Sequence, residues 1–187
     1  MKELEGMLQK NRNVQFILER APLLAMPNWY LGAGCLAQTV WNTLHGFDPE
    51  QGIKDYDLVY FDAADVSYEG EDRYIQKGKE LFGDVAGDVE IRNQARVHLW
   101  HEKHFGYAIE PHKSVERAIS TWPTTATTIG VKKYGDEFQV YAACGLDDLF
   151  GMIIRANKIL VSKEVYRKKV DRWTKIWPML KVIPWET

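Results

Sequence analysis

The sequence predicts an α/β fold, and three patterns carry that expectation. A short apolar run, Asn28-Trp29-Tyr30-Leu31, halts at Gly32-Ala33-Gly34 and gives way to helical spacing, which reads as strand, glycine turn, helix. Two later segments, 54–62 and 89–93, are rich in the Tyr, Val, Phe and Ile that suit a pleated surface. The helical period then returns at both ends of the chain. The 187 residues are enough for one domain with its own core. We divide it into an N-terminal helical unit (1–27), an α/β core (28–145) and a helical C-terminal part (146–187).

Residues 1–21 place Leu4, Met7, Leu8, Val14, Ile17 and Leu18 on one stripe at spacings near three and four, so a helix is expected up to Pro22 and Pro27. After the glycine turn, Cys35, Leu36, Thr39, Val40, Trp41 and Leu44 continue a helix that stops at Gly46. Segment 48–52 is a loop and 54–62 a strand; 63–73 is expected as acidic loop, with a helix following to about Phe82. Val89-Glu90-Ile91-Arg92-Asn93 alternates apolar and polar residues, a half-buried strand that the pattern extends toward Val97 and Leu99. Residues 114–122 read as helix, and the threonine-rich run 124–128 is too β-branched for one. Val131 and Phe138-Gln139-Val140-Tyr141 form a hairpin about Gly135-Asp136, and from Leu146 through Ile153, Ile154 and 165–177 the period is helical.

Apolar residues at 45% and charged residues at 27% exclude a disordered or fibrous chain, and a net charge of -2 excludes a global basic field for nucleic acid. Cys35 and Cys144 both lie in apolar company and are read as small buried hydrophobes in a reducing compartment. The charged start of the chain and the lack of a long apolar run predict a cytoplasmic protein with no membrane partner. Seven Trp residues either fill a core, the reading preferred here, or line a cleft that stacks on planar ligands.

Strand side chains alternate, so Asp55 and Asp57 leave the same face of one strand while Tyr56 and Leu58 leave the other. Two adjacent carboxylates repel unless a cation lies between them, and hard Mg²⁺, with Mn²⁺ as an alternative, suits their oxygens. Otherwise Asp55 caps a turn and Asp57 is solvated. Upstream, Gly32, Ala33 and Gly34 sit where backbone N–H groups and a helix N-terminus receive phosphate, or where the glycines simply allow tight packing. A phosphate site beside a metal site is what a nucleoside triphosphate requires. A rival reading takes Gly32-x-Gly34-x-x-Ala37 as a dinucleotide-binding fingerprint with Asp62 on the ribose; it leaves Asp55 and Asp57 without a role.

Glu90 is the third carboxylate: paired with the aspartate strand it would complete the metal site or take a proton, and otherwise it pairs with Arg92 or Arg96. Asn93 and Gln94 are read as structural amides tying this strand to the aspartate loop, with recognition of a base or acceptor as the alternative. His98, His101 and His104 would line one side of a helix, but the strand-like pattern around them argues against a zinc site. Residues 155–181 hold nine Lys and Arg against Glu164 and Asp171, a local charge of +7 interleaved with Trp173 and Trp177. That is either an amphipathic helix with solvated charges or a surface for acceptor phosphates, RNA included.

Gly32-Ala33-Gly34, a helix, and then Asp55-x-Asp57 in a strand resembles the signature of the DNA polymerase beta nucleotidyltransferase superfamily. The whole chain is similar to a bacterial branch of nucleotidyltransferase-like proteins within it, formerly a domain of unknown function. The likeness is carried by 39–42, 55–62, 92–100, 145–150 and Trp177-Pro178. The resemblance implies a mixed sheet flanked by helices, Asp55 and Asp57 holding Mg²⁺ with Glu90 as third carboxylate, and the Gly32 to Gly34 turn receiving phosphates. It also implies transfer of a nucleotidyl group from a nucleoside triphosphate to a hydroxyl acceptor. The turn departs from the family pattern, with Cys35, Leu36 and Ala37 after it, so a catalytically silent nucleotide- or partner-binding module of the same fold is the alternative.

Overall fold

The computed structural model describes residues 2–135 and 137–186. Its centre is a five-stranded mixed sheet in the order β3-β2-β1-β4-β5, formed by β1 (Tyr30–Gly32), β2 (Asp55–Tyr60), β3 (Asp88–Asn93), β4 (Ile129–Tyr134) and β5 (Glu137–Ala142). β1 runs antiparallel to β2 and β4, β4 antiparallel to β5, and β2 parallel to β3. The hairpin joining β4 and β5 turns at Gly135, and Asp136 lies outside the described residues.

Alternation along β2 sorts its side chains. Tyr56, Leu58 and Tyr60 are buried in the main core, whereas Asp55, Asp57 and Val59 face the other side. The main core is closed by α1 (Lys2–Leu8), α2 (Arg12–Arg20), α3 (Gly34–His45) and α4 (Tyr68–Leu81), through Leu4, Leu8, Val14, Ile17 and Leu18 among others. α3 is buried on every side from Cys35 to Asn42. A Cβ at Gly78 in α4 would meet the tip of Ile91 on β3, which would have to shift to make room.

The opposite face carries a smaller cluster of Tyr30, Val59, Val115 and Ile119, the last two from α6 (Val115–Ile119). α5 (His98–Phe105) follows β3, and α7 (Asp147–Phe150) and α8 (Lys163–Ile176) complete the helices. α8 is anchored at its far end: Trp173 and Trp177 meet Trp41 of α3 edge-on at 5.3 and 5.7 Å, and Trp177 Nε1 donates to Asn42 Oδ1 at 2.6 Å.

Several expectations need correction. Residues 1–21 form two helices, because Asn11 adopts an extended conformation, accepts from Val14 N–H and donates to Thr39 Oγ1 at 2.8 Å. The expected loop 63–73 already turns helical at Tyr68, where Ser67 caps α4 by accepting from Gly70 N–H. β3 does not run on to Leu99: Asn93 Oδ1 accepts from Ala95 N–H and turns the chain into a short 3-10 turn (Gln94–Arg96) and then α5. The helix expected over 114–122 shrinks to α6. Ile153 and Ile154 are not helical, since Met152 at φ 53 breaks the chain direction and they form β6 (Ile153–Ile154), parallel to β7 (Lys181–Val182). The C-terminal part is therefore helical only in α7 and α8.

Candidate active site

Pairing places Asp57 directly beside Glu90 on β3 and beside Gly32 on β1, and Asp55 beside Asp88. Because paired residues of neighbouring strands leave the same face, Asp55, Asp57 and Glu90 project together from one side of the sheet. Asp57 and Glu90 lie in a cleft of about 420 Å³ that also takes in Ala33 and Lys169. Asp57 is partly buried at its floor, and its carboxyl is pushed up to about 7, first by burial and then by Asp55 and Glu90, against the opposing pull of Lys169 and Arg92. Glu90 is exposed at the rim, 3.7 Å from the Arg92 guanidinium.

Lys169 was not singled out in the sequence from its basic neighbours. α8 lays it over the carboxylates with its ammonium 5.4 Å from the centre of the Trp173 ring. Burial and then Arg172 hold its pKa down, while Asp57 and Asp55 pull it up. Lys169 stands four residues before Trp173 and eight before Trp177, so the three share one stripe of the helix, and docking of the two buried rings turns Lys169 inward with them.

The glycine turn is built differently from a simple phosphate cradle. Gly32 is glycine because a Cβ would lie 2.6 Å from the Trp122 ring and 2.9 Å from the Ile129 carbonyl oxygen. Ala33 has φ 59 and ψ -132, a region that disfavours side chains, and its N–H donates to Ile129 C=O at 3.0 Å. What remains for an anion is the first turn of α3, from Gly34 onward, whose N–H groups have no partner within the helix. Cys35 is buried behind this turn, its Sγ donating to Gly32 C=O at 3.2 Å, and burial followed by Asp57 drives its thiol well up. Cys144, expected to be buried, is exposed.

Asn93 is the structural amide expected: fully buried, it accepts from Asp62 N–H and Ala95 N–H and donates to Asp62 and Asp65 carbonyls. Gln94 does not share that role and lines the cleft instead. His98, His101 and His104 lie on α5, but His101 is engaged by the Tyr107 carbonyl at 2.9 Å. Among the described residues no three His, Cys, Asp or Glu converge to hold a metal ion. The dinucleotide reading is overturned by topology, because β1 and β2 are antiparallel where that motif needs parallel strands, and Asp62 caps a turn by accepting from Ala64 N–H at 2.9 Å. Among the described residues no helix is long and apolar enough to cross a membrane.

A mixed sheet with two aspartates alternating on one strand, beside a helix that starts at a glycine turn, defines a nucleotidyltransferase-type domain. The family model described as Nucleotidyltransferase matches residues 19–182, and the chain belongs to that family. The fold is shared with a solved structure described as revealing a CCA-adding enzyme head domain, at 24% identity and a TM-score of 0.79 over 98% of this chain and 96% of that one. Comparison with curated proteins returns no match. Membership of the family supports a role in nucleotidyl transfer and with it a nucleotide substrate.

Proposed function

We propose that the protein transfers a nucleotidyl group from a nucleoside triphosphate to a hydroxyl acceptor with the help of Mg²⁺ or Mn²⁺. The observation that carries this reading is Asp57, held near pKa 7 on a cleft floor by its own burial and by Asp55 and Glu90, with Lys169 above it. Such crowding of like charges is unfavourable in the free protein and is relieved by a cation. The residues fit Mg²⁺, which binds through one or two carboxylates and fills its remaining positions with water and substrate phosphate, so Asp55 and Asp57 suffice on the protein side. When bound there the ion supplies charge neutralisation on the phosphoryl oxygens.

The chain's own groups do the rest. Lys169 and the first turn of α3 receive the negative charge of the triphosphate tail. Glu90, steadied by Arg92, takes the proton of the attacking hydroxyl; the acceptor's hydroxyl oxygen bonds to the α-phosphorus as the bond from that phosphorus to the bridging oxygen breaks and pyrophosphate leaves. Exposed Arg167, Lys168 and Arg172 on α8 favour an acceptor that carries phosphates, RNA among them. A cytoplasmic setting accords with such substrates.

Pyrophosphate release from ATP, CTP, GTP and UTP with Mg²⁺ across hydroxyl acceptors tests the reading, with Asp57→Asn as the control that should abolish it. A second reading, a silent nucleotide- or partner-binding module, is favoured by the commitment of the Ala33 N–H to Ile129. Tight nucleotide binding without pyrophosphate release from any acceptor would select it.

A further inference from the structure

The proposed chemistry uses the charged end of the cleft and leaves the other end without a task. Along β3 and its extension, Glu90, Arg92 and Gln94 all face the cleft. At about 3.3 Å per residue, four residues carry Gln94 roughly 13 Å beyond Glu90, the scale that separates the phosphates of a nucleotide from the far side of its base. Gln94 is 7% exposed, and its side chain makes no hydrogen bond among the described residues. A primary amide has two donors and a carbonyl acceptor, and at Gln94 these open onto the cleft: among the described residues the side-chain polar atoms sealed from water without a partner are His98 Nδ1 and Trp173 Nε1. Its neighbour Asn93 has the same chemistry and satisfies it in full.

The cleft that Gln94 lines is rich in aromatic side chains. Trp100, Phe105 and Trp122 line the same cleft, and Trp122 packs against Gly32, the strand partner of Asp57, so part of the aromatic wall stands beside the carboxylates. Aromatic side chains stack on planar bases regardless of sequence, whereas an amide supplies the donor and acceptor that a base edge needs. A neutral amide among rings offers little to a phosphate.

We infer that Gln94 reads the hydrogen-bonding edge of the nucleobase of the bound nucleotide, whose ring lies against the Trp100 and Trp122 wall while its phosphates lie toward Asp57 and Lys169. This rests on the nucleotidyl-transfer reading, so the test separates the two. Calorimetry in Mg²⁺ compares ATP, CTP, GTP, UTP and inorganic tripolyphosphate on the wild type, Gln94→Leu and Gln94→Met. Both variants replace an amide that bonds no other described part of the fold and should melt close to the wild type, and either one alone suffices if the other misfolds. The expected result is that the tightest nucleotide weakens about 10- to 100-fold while tripolyphosphate is unchanged. Nucleotides bound as tightly by the variants as by the wild type would overturn the role of Gln94 and leave the transferase reading standing. Equal weakening of tripolyphosphate would also overturn it, by placing the effect at the phosphate end. A wild type that binds neither nucleotide nor tripolyphosphate would remove the transferase reading and this inference with it.

Discussion

Replacing Asp57 with Asn should stabilise the metal-free protein at neutral and alkaline pH. The carboxyl is raised from an ordinary value of 3.8 to about 7, so the folded state holds its proton over a range where the unfolded chain has lost it. Stability therefore falls as pH rises through that interval; the penalty is absent below about pH 4 and complete above about pH 7. Roughly three pH units at 1.36 kcal/mol each set an upper bound of about 4 kcal/mol. The side chain keeps some contact with water in the cleft, and screening reduces this to about 2 kcal/mol. For a chain of this size that corresponds to about 4–8 °C in melting temperature. In EDTA, the difference between Asp57→Asn and wild type should open from near zero at pH 4 to several degrees in favour of the variant at pH 8. Added Mg²⁺ should raise the wild type and leave the variant where it was. Melting of the variant below the wild type at pH 8 would make Asp57 a structural partner, and a difference independent of pH would remove the account based on burial and like charge.

Asn93→Ala should destabilise the fold by about 3 kcal/mol, since it deletes a fully buried amide and strands the backbone groups it served; urea titration would show the midpoint fall without loss of slope. Ala33→Gly should raise stability by about 1 kcal/mol, because Ala33 sits at φ 59 where only glycine is unstrained, and an unchanged or lower melting temperature would count against strain at the turn. NADH in EDTA should leave the melting temperature unmoved, since the antiparallel β1 and β2 do not form the dinucleotide crevice; a rise of several degrees would reverse that conclusion.

Local rules explain which parts of the site could be read in advance. Alternation on a strand is a property of neighbours in sequence, so the common direction of Asp55 and Asp57 follows from their spacing alone. The glycine turn is legible for the same reason. Its detail is not, because the strain at Ala33 and the need for Gly32 come from Trp122 and Ile129, which only the folded sheet brings near. The pairing of Glu90 with Asp57 had to be assumed, and parallel β2 and β3 supply it. Element boundaries failed where one side chain outweighs a periodic pattern, as Asn11 does between α1 and α2 and Asn93 does at the end of β3.

Lys169 and Gln94 mark where such rules end. The role of Lys169 depends on the rotation of α8, which Trp173 and Trp177 set by docking on Trp41, a contact between distant parts of the chain. Its spacing of four from Trp173 favours Lys169 only once that ring is known to dock; Lys168, one residue round the helix, instead pairs its ammonium with Glu164 at 2.8 Å and 74% exposure. Gln94 stands next to Asn93 with the same functional group, and the sequence offers both one pair of roles. What separates them is an amide open to the cleft in one and a buried amide with every bond made in the other. An unmade hydrogen bond has no sequence signature, because it is defined by every residue that does not reach it. Among the described residues the fold makes no bond with the amide at position 94, and the nucleobase proposed for the cleft is what would give it a task.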